Sequence, residues 1–474
     1  MILENYSAAR HLGARLEMGT NDALCEERIG SRVDQVLSSL TPPVAYLPAA
    51  PTLTPWEAIS GFQAMDTDER RAVRTQARQE CRELTCWWLQ LIHETPYPLL
   101  ERMTLFWHNH FTSNADSVAW PQLMYRQNQL FRTHALGNFA NLLQEIVFDP
   151  AMLRYLDGAS NAVNSPNENF ARELLELFTL GEGHYTERDI VEAARSLTGW
   201  QFDYKTGKAV FKVWRHDKAE KTFLGETGNF NSTDIINIIL RQPRTAEFIA
   251  EKFWAGFINP EPPDPAIITQ WARTFRESGY EITALLSAVV QSQPFWDGRN
   301  RGALIKSPVE FSIGLLRELK TEISDYEFLR KANLQLGQNL FYPPDVKGWR
   351  GGFSWISNTT LTRRHDLISK LTTEYGNGLT TAIPARMLLQ QEPAVPSPKN
   401  LSNQQLDQLL AGLFARFTGT EAAITATATA TCNIDVAALE QWLLPLPSLS
   451  RPDCHQPLSD LLFVLMKDPA YQLR

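Results

Sequence analysis

Apolar residues recur every three or four positions along most of the chain, the period of helices that bury one face. Between residues 5 and 40 the pattern fits two helices, with Asn21 placed to cap the second. Residues 41–55 are proline-rich and predict an extended surface connection. From 56 to 88 helical periodicity carries alternating charge signs, the mark of a solvated helix face. Helical spacing continues within the stretch 96–114 and over 121–156, then through a helix–loop–helix over 165–200. At Trp200 the period drops to two. Trp200, Phe202 and Tyr204 lead into a turn at Lys205, Thr206, Gly207 and Lys208, and Phe211 and Val213 lead out, which is a hairpin pattern. Helices resume over 232–275 and 280–293. Another starts after Ser307, with Pro308 at its first position and Glu310 at its third. A second proline-rich linker (390–403), a low-complexity stretch (420–432) and a last helix (458–467) complete the chain. No βαβ alternation occurs. The pattern predicts a mainly α protein, a large helical bundle with one small β-hairpin excursion near residues 200–224. Residues 1–390 are the expected main helical domain, and 391–474 a C-terminal helical appendage with a loop at 420–432.

The first helix of residues 165–200 has the most demanding pattern. Pro166 and Asn167 supply its start signal and Gly181 its stop. At about 100° per residue, Phe170, Ala171, Leu174, Leu175, Leu177, Phe178 and Leu180 fill an arc of roughly 220°, as in a helix buried on most sides. Arg172, Glu176 and Thr179 take the polar side. Glu173 does not, because it falls about 300° from Phe170, inside the apolar arc. A carboxylate there must be paired, protonated or bound to something. In the loop after this helix, Thr186 and Asp189 read as a capping box; the alternating carboxylates of a calcium loop are missing.

Composition narrows the picture modestly. With 474 residues, 43% hydrophobic and 21% charged, the chain is an ordinary globular protein large enough for one big helical domain with additions. Its net charge of −8 argues against a nucleic-acid binder. No run approaches the roughly 18 apolar residues of a membrane span. The N-terminal residues contain no apolar signal core, so the expected location is cytoplasmic, with export alongside a signal-bearing partner as the exception. The five cysteines, Cys25, Cys81, Cys86, Cys432 and Cys454, form no C-x-x-C pair. They read as reduced, partly buried thiols, with a Cys432–Cys454 bridge as the alternative.

Three places could carry chemistry. In the first, Leu99, Met103, Phe106 and His110 form an apolar stripe, and His108 lies about 200° away around the helix axis. The two imidazoles can share one ion only if the helix ends near Trp107 and the backbone extends. Otherwise one is a core histidine and the other a surface one. The adjacent letters of His108, Asn109 and His110 are not a nuclease site, whose motif is not three consecutive residues. The second place is the helix with Glu173 and Glu176. The third is the loop over 342–357, rich in glycine, proline and tryptophan, where Lys347, Trp349, Arg350 and Trp355 can face a ligand or the tryptophans can plug the core. Asp345 is the natural ion partner of Lys347. His216, Asp217 and Lys221 add a short polar segment. Metalloprotease, nucleophile-elbow, phosphate-loop and dinucleotide motifs are missing.

Five stretches together resemble the marks of a large bacterial family known as domain of unknown function 1800. They are SPNENFARELLELFTLGEGHYTERDIVEAARSLTGW (165–200), FWHNHFTSN (106–114), IKSPVEF (305–311), YPPDVKGWRGGFSWIS (342–357) and DPAYQLR (468–474). The resemblance spans most of the chain and implies family membership but little chemistry. It implies relatives that often carry export signals and are encoded beside sulfatase- or phosphatase-like proteins. It also implies that many relatives have histidine at the position of Phe178, which cannot ligate a metal. Three readings are open. The first is a metal-dependent enzyme in which His108, His110 or both, with Glu173 and either Glu176 or Glu168, hold zinc, iron or manganese in a helical bundle, with Glu173 and His110 catalytic. The second is a non-catalytic binding or companion subunit for a sulfatase- or phosphatase-like partner, or a glycan- or peptide-binding protein using the Lys347, Trp349, Arg350 and Trp355 loop; Glu173 then pairs with Arg195 or another cation. The third is metal-free acid–base catalysis by Glu173 and the histidines. None involves nucleic acid or membrane insertion.

Overall fold

Helix caps set the frame. A computed structural model describes residues 1–42, 46–374, 466 and 469–474. Among them α-helices dominate, and paired strands are confined to two antiparallel hairpins. Two compact units form: a larger one from Leu37–Ser292 and Gln338–Arg350, and a smaller one from Met1–Val36, Gln293–Gly337 and Gly351–Arg474. Most of the expected appendage at 391–474, with its linker, its low-complexity loop, Cys432, Cys454 and most of the last helix, lies outside the described residues. Cys25, Cys81 and Cys86 form no disulfide among the described residues. No described helix is long and apolar enough to cross a membrane.

In the larger unit the helix Thr67–Glu94 starts on a complete capping box of Asp66 and Glu69. Near its end Trp88 donates from Nε1 to Glu101 at 2.9 Å. Glu101, on the helix Pro98–His110, takes a two-pronged pair from Arg132 of the helix Pro121–His134, at 2.6 and 2.9 Å. All three side chains are buried, so this charge pair is satisfied by geometry rather than by water. It fixes the register of the helix that carries both candidate histidines.

The helix at Glu168–Glu173 widens into a π turn at Leu174–Thr179, where the Leu180 N–H donates to the Leu175 carbonyl five residues back at 2.9 Å. The widened turn advances each residue by less than an α-helix does. An angular map at α-helical pitch therefore fails from Leu174 onward: Glu173 ends half-buried rather than inside an apolar arc, and Leu177 is only partly covered. Gly181 stops the helix with φ +80°. The next helix, Glu187–Ser196, begins on the capping box of Thr186 and Asp189 that its sequence announces. Thr186→Ala is expected to cost about 1 kcal/mol, read from urea unfolding, because the Asp189 N–H then loses its acceptor.

The hairpin of Trp200–Asp203 and Lys208–Phe211 turns on Gly207, at φ +63°, where a Cβ would meet the Trp56 ring at 2.6 Å. It is shorter than its sequence suggests, since Val213 leaves the strand for a 3-10 turn, Val213–Arg215. A second hairpin, Lys221–Phe223 with Glu226–Gly228, extends the β region past residue 224. Leu224 and Gly225 both have positive φ, the geometry of a tight two-residue turn, although leucine gives no turn signal there. Lys221 is buried and donates to the carbonyls of Asp217 and Ala219 at 2.6 and 3.0 Å.

The smaller unit is built from the helices Tyr6–Leu16, Asp22–Arg28, Pro308–Glu318, Tyr326–Gln335 and Asn358–Glu374. Asn21 caps the second of these, accepting from the Leu24 N–H at 3.1 Å, and Ser307, Pro308 and Glu310 open Pro308–Glu318 as anticipated. An isolated bridge joins Ile305 to Leu473.

Candidate functional site

The helix Pro98–His110 runs unbroken through both histidines, so their side chains leave it on different sides. Both are buried, where one surface histidine was expected. The Phe341 N–H donates to His108 Nε2 at 3.3 Å, and the ring stands edge-on to Trp88 and Phe341 and tilted against Trp349. His110 Nε2 donates to the Phe178 carbonyl at 3.0 Å. These partners select opposite tautomers, with the proton on Nδ1 in His108 and on Nε2 in His110. Burial pushes both imidazoles down to about 3, so both are neutral near pH 7.

The histidines open a bracket of side-chain contacts. Asn109 Oδ1 accepts from the Trp349 N–H at 2.8 Å, and its Nδ2 donates to the Trp349 carbonyl at 3.3 Å. Thr112 Oγ1 donates to Val346 O at 2.7 Å and Asn114 Nδ2 to Pro343 O at 2.8 Å. The Ala115 N–H donates to Phe341 O at 2.9 Å. With the His108 contact, residues 108–115 hold the backbone of 341–349 at both ends and in the middle. The same segment reaches the π turn through His110, while Arg244 Nε donates to Leu180 O at 2.9 Å. These carbonyls lie where a helix end leaves acceptors unfilled.

The bracketed loop sorts its side chains. Trp349 is buried and fills the core beside His108. Trp355 is buried too, within the smaller unit, so neither tryptophan faces solvent for a ligand. Lys347 and Arg350 are exposed. Asp345 accepts from the Lys347 backbone N–H at 2.8 Å, whereas Lys347 Nζ lies 4.0 Å from Glu176 Oε1. The expected Asp345–Lys347 ion pair is thus a turn contact, and the amine serves the π helix instead.

The family model described as a protein of unknown function (DUF1800) matches residues 11–473. The chain belongs to the DUF1800 family. No curated protein and no solved structure matches it. At Phe178, where the resemblance implies histidine in many relatives, this DUF1800 protein places a buried ring 5.2 Å from Phe111.

Around the π turn, Glu173, Glu176 and Lys347 are brought together with two tyrosines that sequence reasoning missed. Tyr185 donates to Glu176 Oε2 at 3.1 Å, and burial with the Glu176 charge pushes its hydroxyl up to about 12. Burial raises the Tyr155 hydroxyl as well, helped by the charges of Asp345 and Glu173. Burial, then the charge of Glu176, raises the proton affinity of Glu173, against the pull of Lys347 and Arg172. Arg172 itself forks onto Glu187 at 3.0 and 2.8 Å. Arg195, the expected partner of Glu173, is committed to Glu192 and Asp217 at 2.6 and 2.7 Å. His108, His110, Glu173 and Glu176 are not assembled as a ligand set. Among the described residues no three His, Cys, Asp or Glu side chains are grouped to hold an ion.

Proposed function

We propose that this DUF1800 protein is a binding subunit whose surface at Glu173 and Glu176 takes a cationic group, ammonium or guanidinium, carried by an extended segment of a partner protein. The carrying observation is that Glu173 is half-buried close to Glu176, with the Lys347 amine 4.0 Å from the latter, an arrangement in which burial and the Glu176 charge raise the proton affinity of Glu173. A cation placed there relieves a like-charge contact that the fold otherwise maintains. Hydrogen bonds from Asn109, Thr112 and Asn114 hold the bracketed loop, and a loop so held has less freedom to lose on association. A sulfatase- or phosphatase-like companion would have to present that basic segment.

Acetylated trilysine amide is a suitable probe. Calorimetry should detect saturable binding that weakens with salt, and Glu173→Gln or Glu176→Gln should each weaken it about tenfold. Binding that is unchanged in both variants ends this reading. Elemental analysis of untagged protein checks the metal alternative: stoichiometric zinc, iron or manganese lost in Glu173→Gln would put an ion in place of the peptide cation. Lys347→Ala should raise the proton affinity of Glu173 further, followed by carboxyl NMR through a pH titration.

A further inference from the structure

Two of the family-like stretches, at 305–311 and 468–474, take no part in the surface just described. They meet in the smaller unit: the Lys306 N–H donates to Gln472 O at 2.8 Å, and the Arg474 N–H to Leu304 O at 2.7 Å. Beside this pairing lies a cleft of about 30 Å³, enough for about two waters. One wall is the helix Pro308–Glu318, which turns Glu310, Gly314 and Glu318 toward the cleft at four-residue spacing. Gly19, at φ +86°, lies so close to that helix that a Cβ would meet Gly314 Cα at 2.6 Å.

The side-chain charges of the cleft do not balance. Arg10, Arg301, Lys306 and Arg474 line it, against Glu17, Glu310 and Glu318. Glu17 is neutralised from behind by Arg28. Glu310 pairs with Arg474 at 3.1 Å and caps the Ser307 N–H. Glu318 serves Arg10 at 3.4 Å, Lys306 at 4.0 Å and the Tyr471 hydroxyl at 2.8 Å. Among the described residues, four cationic side chains against the two remaining carboxylate side chains leave an excess of two positive charges, in a protein whose net charge is −8. Lys306 is nine-tenths buried with its amine over the Tyr471 ring, 3.8 Å from the centroid. Buried Arg301 Nε has no hydrogen-bond partner among the described residues. Burial pushes Lys306 down to about 8, and burial with Arg15 and Arg301 pushes His11 down to about 3, whereas Arg10, despite its burial, is raised by the Glu318 charge, so the cost of burying positive charge falls on Lys306 and His11.

We propose that this cleft binds a doubly charged tetrahedral oxyanion, sulfate or phosphate, with Lys306 and Arg301 as direct ligands. A dianion would offset the side-chain excess counted among the described residues. A planar guanidinium and a point-charge ammonium together suit an oxyanion better than either a cation or an apolar ligand. The site is independent of the Glu173 surface and stands or falls separately.

The test is calorimetry on the full chain with inorganic phosphate, inorganic sulfate and phenyl phosphate, at ionic strength held constant with sodium chloride. One saturable site per chain is expected. It should weaken about tenfold or more in Lys306→Met and in Arg301→Gln, and stay unchanged in Arg299→Gln, which removes an exposed charge of the same unit. Arg301 is only half-buried, so its variant keeps the test usable if Lys306→Met fails to fold. Tighter inorganic ions indicate a free-ion site, and tighter phenyl phosphate indicates the end group of a larger ligand. No saturable heat in the parent protein, or binding unchanged in both variants, overturns the proposal.

Discussion

Alanine at Gly348 is expected to destabilise the protein by about 3 kcal/mol or more, measured as a fall in urea unfolding midpoint. Gly348 has φ +76°, a conformation that costs an L side chain on its own. The added Cβ would also lie 2.4 Å from Asn109 Oδ1 and 2.6 Å from Asn109 O. Neither atom is free to retreat, because the Asn109 amide is bonded to Trp349 on both its edges and its carbonyl belongs to a helix end. Gly183→Ala separates the two contributions. Gly183 has φ +83° with nothing within 4 Å of its would-be Cβ, so it should lose only the conformational part, about 1 kcal/mol.

Acid should unfold this protein early, with stability falling from about pH 6.5 downward. Burial lowers His11, His108 and His110 from the usual 6.5 to about 3. The unfolded chain takes up a proton at each near pH 6.5, while the native state stays neutral until about pH 3. Between those values the unfolded state binds more protons, so stability rises with pH and is lost on acidification. Each histidine contributes up to about 1.4 kcal/mol per pH unit in that window. Asp149 acts in the opposite sense. Burial raises it from 3.8 to about 7, so its native form keeps a proton that the unfolded chain has released, and this favours folding as pH falls toward 3.8. Glu17 and Glu173, raised from 4.5, act in the same direction as Asp149 and blunt the slope as pH approaches 4.5. The histidine effect should therefore be clearest between pH 6.5 and 5.5. His110→Gln keeps a donor for Phe178 O but removes one titrating group, and should flatten the slope by about 1 kcal/mol per pH unit over that window.

Much of the fold is legible in the sequence because local chemistry decides it. The Thr186–Asp189 and Ser307–Glu310 boxes, the Asn21 cap, the Gly181 stop and the first hairpin all rest on residues within a few positions of one another. The π turn is not legible, because nothing in Leu174–Thr179 departs from a helical composition; tertiary contacts at Phe178 O and Leu180 O go with the widening. That turn is also why helical periodicity places Glu173 too deep. Glu173, Glu176 and Lys347 each stand out singly, but their meeting depends on a loop more than 160 residues away in sequence, which no periodicity reports. His110, on an apolar stripe, and His108, buried on another side of the same helix, resemble ligands because buried polar groups need a partner. The partner is backbone, at Phe341 and Phe178. Asn109, Thr112 and Asn114 carry a signal of their own: a run of small polar residues leaving an apolar helix end is suited to binding loop carbonyls.

Residues 108–115 hold the 341–349 loop and, through it, Lys347 beside Glu176. Native-state hydrogen exchange on Asn109→Ala tests this most directly. Losing both hydrogen bonds to Trp349 should speed exchange of the loop amides, Trp349 foremost, by roughly 10- to 100-fold, with the Thr67–Glu94 helix unchanged. Loop protection equal to that of the parent protein would contradict the account.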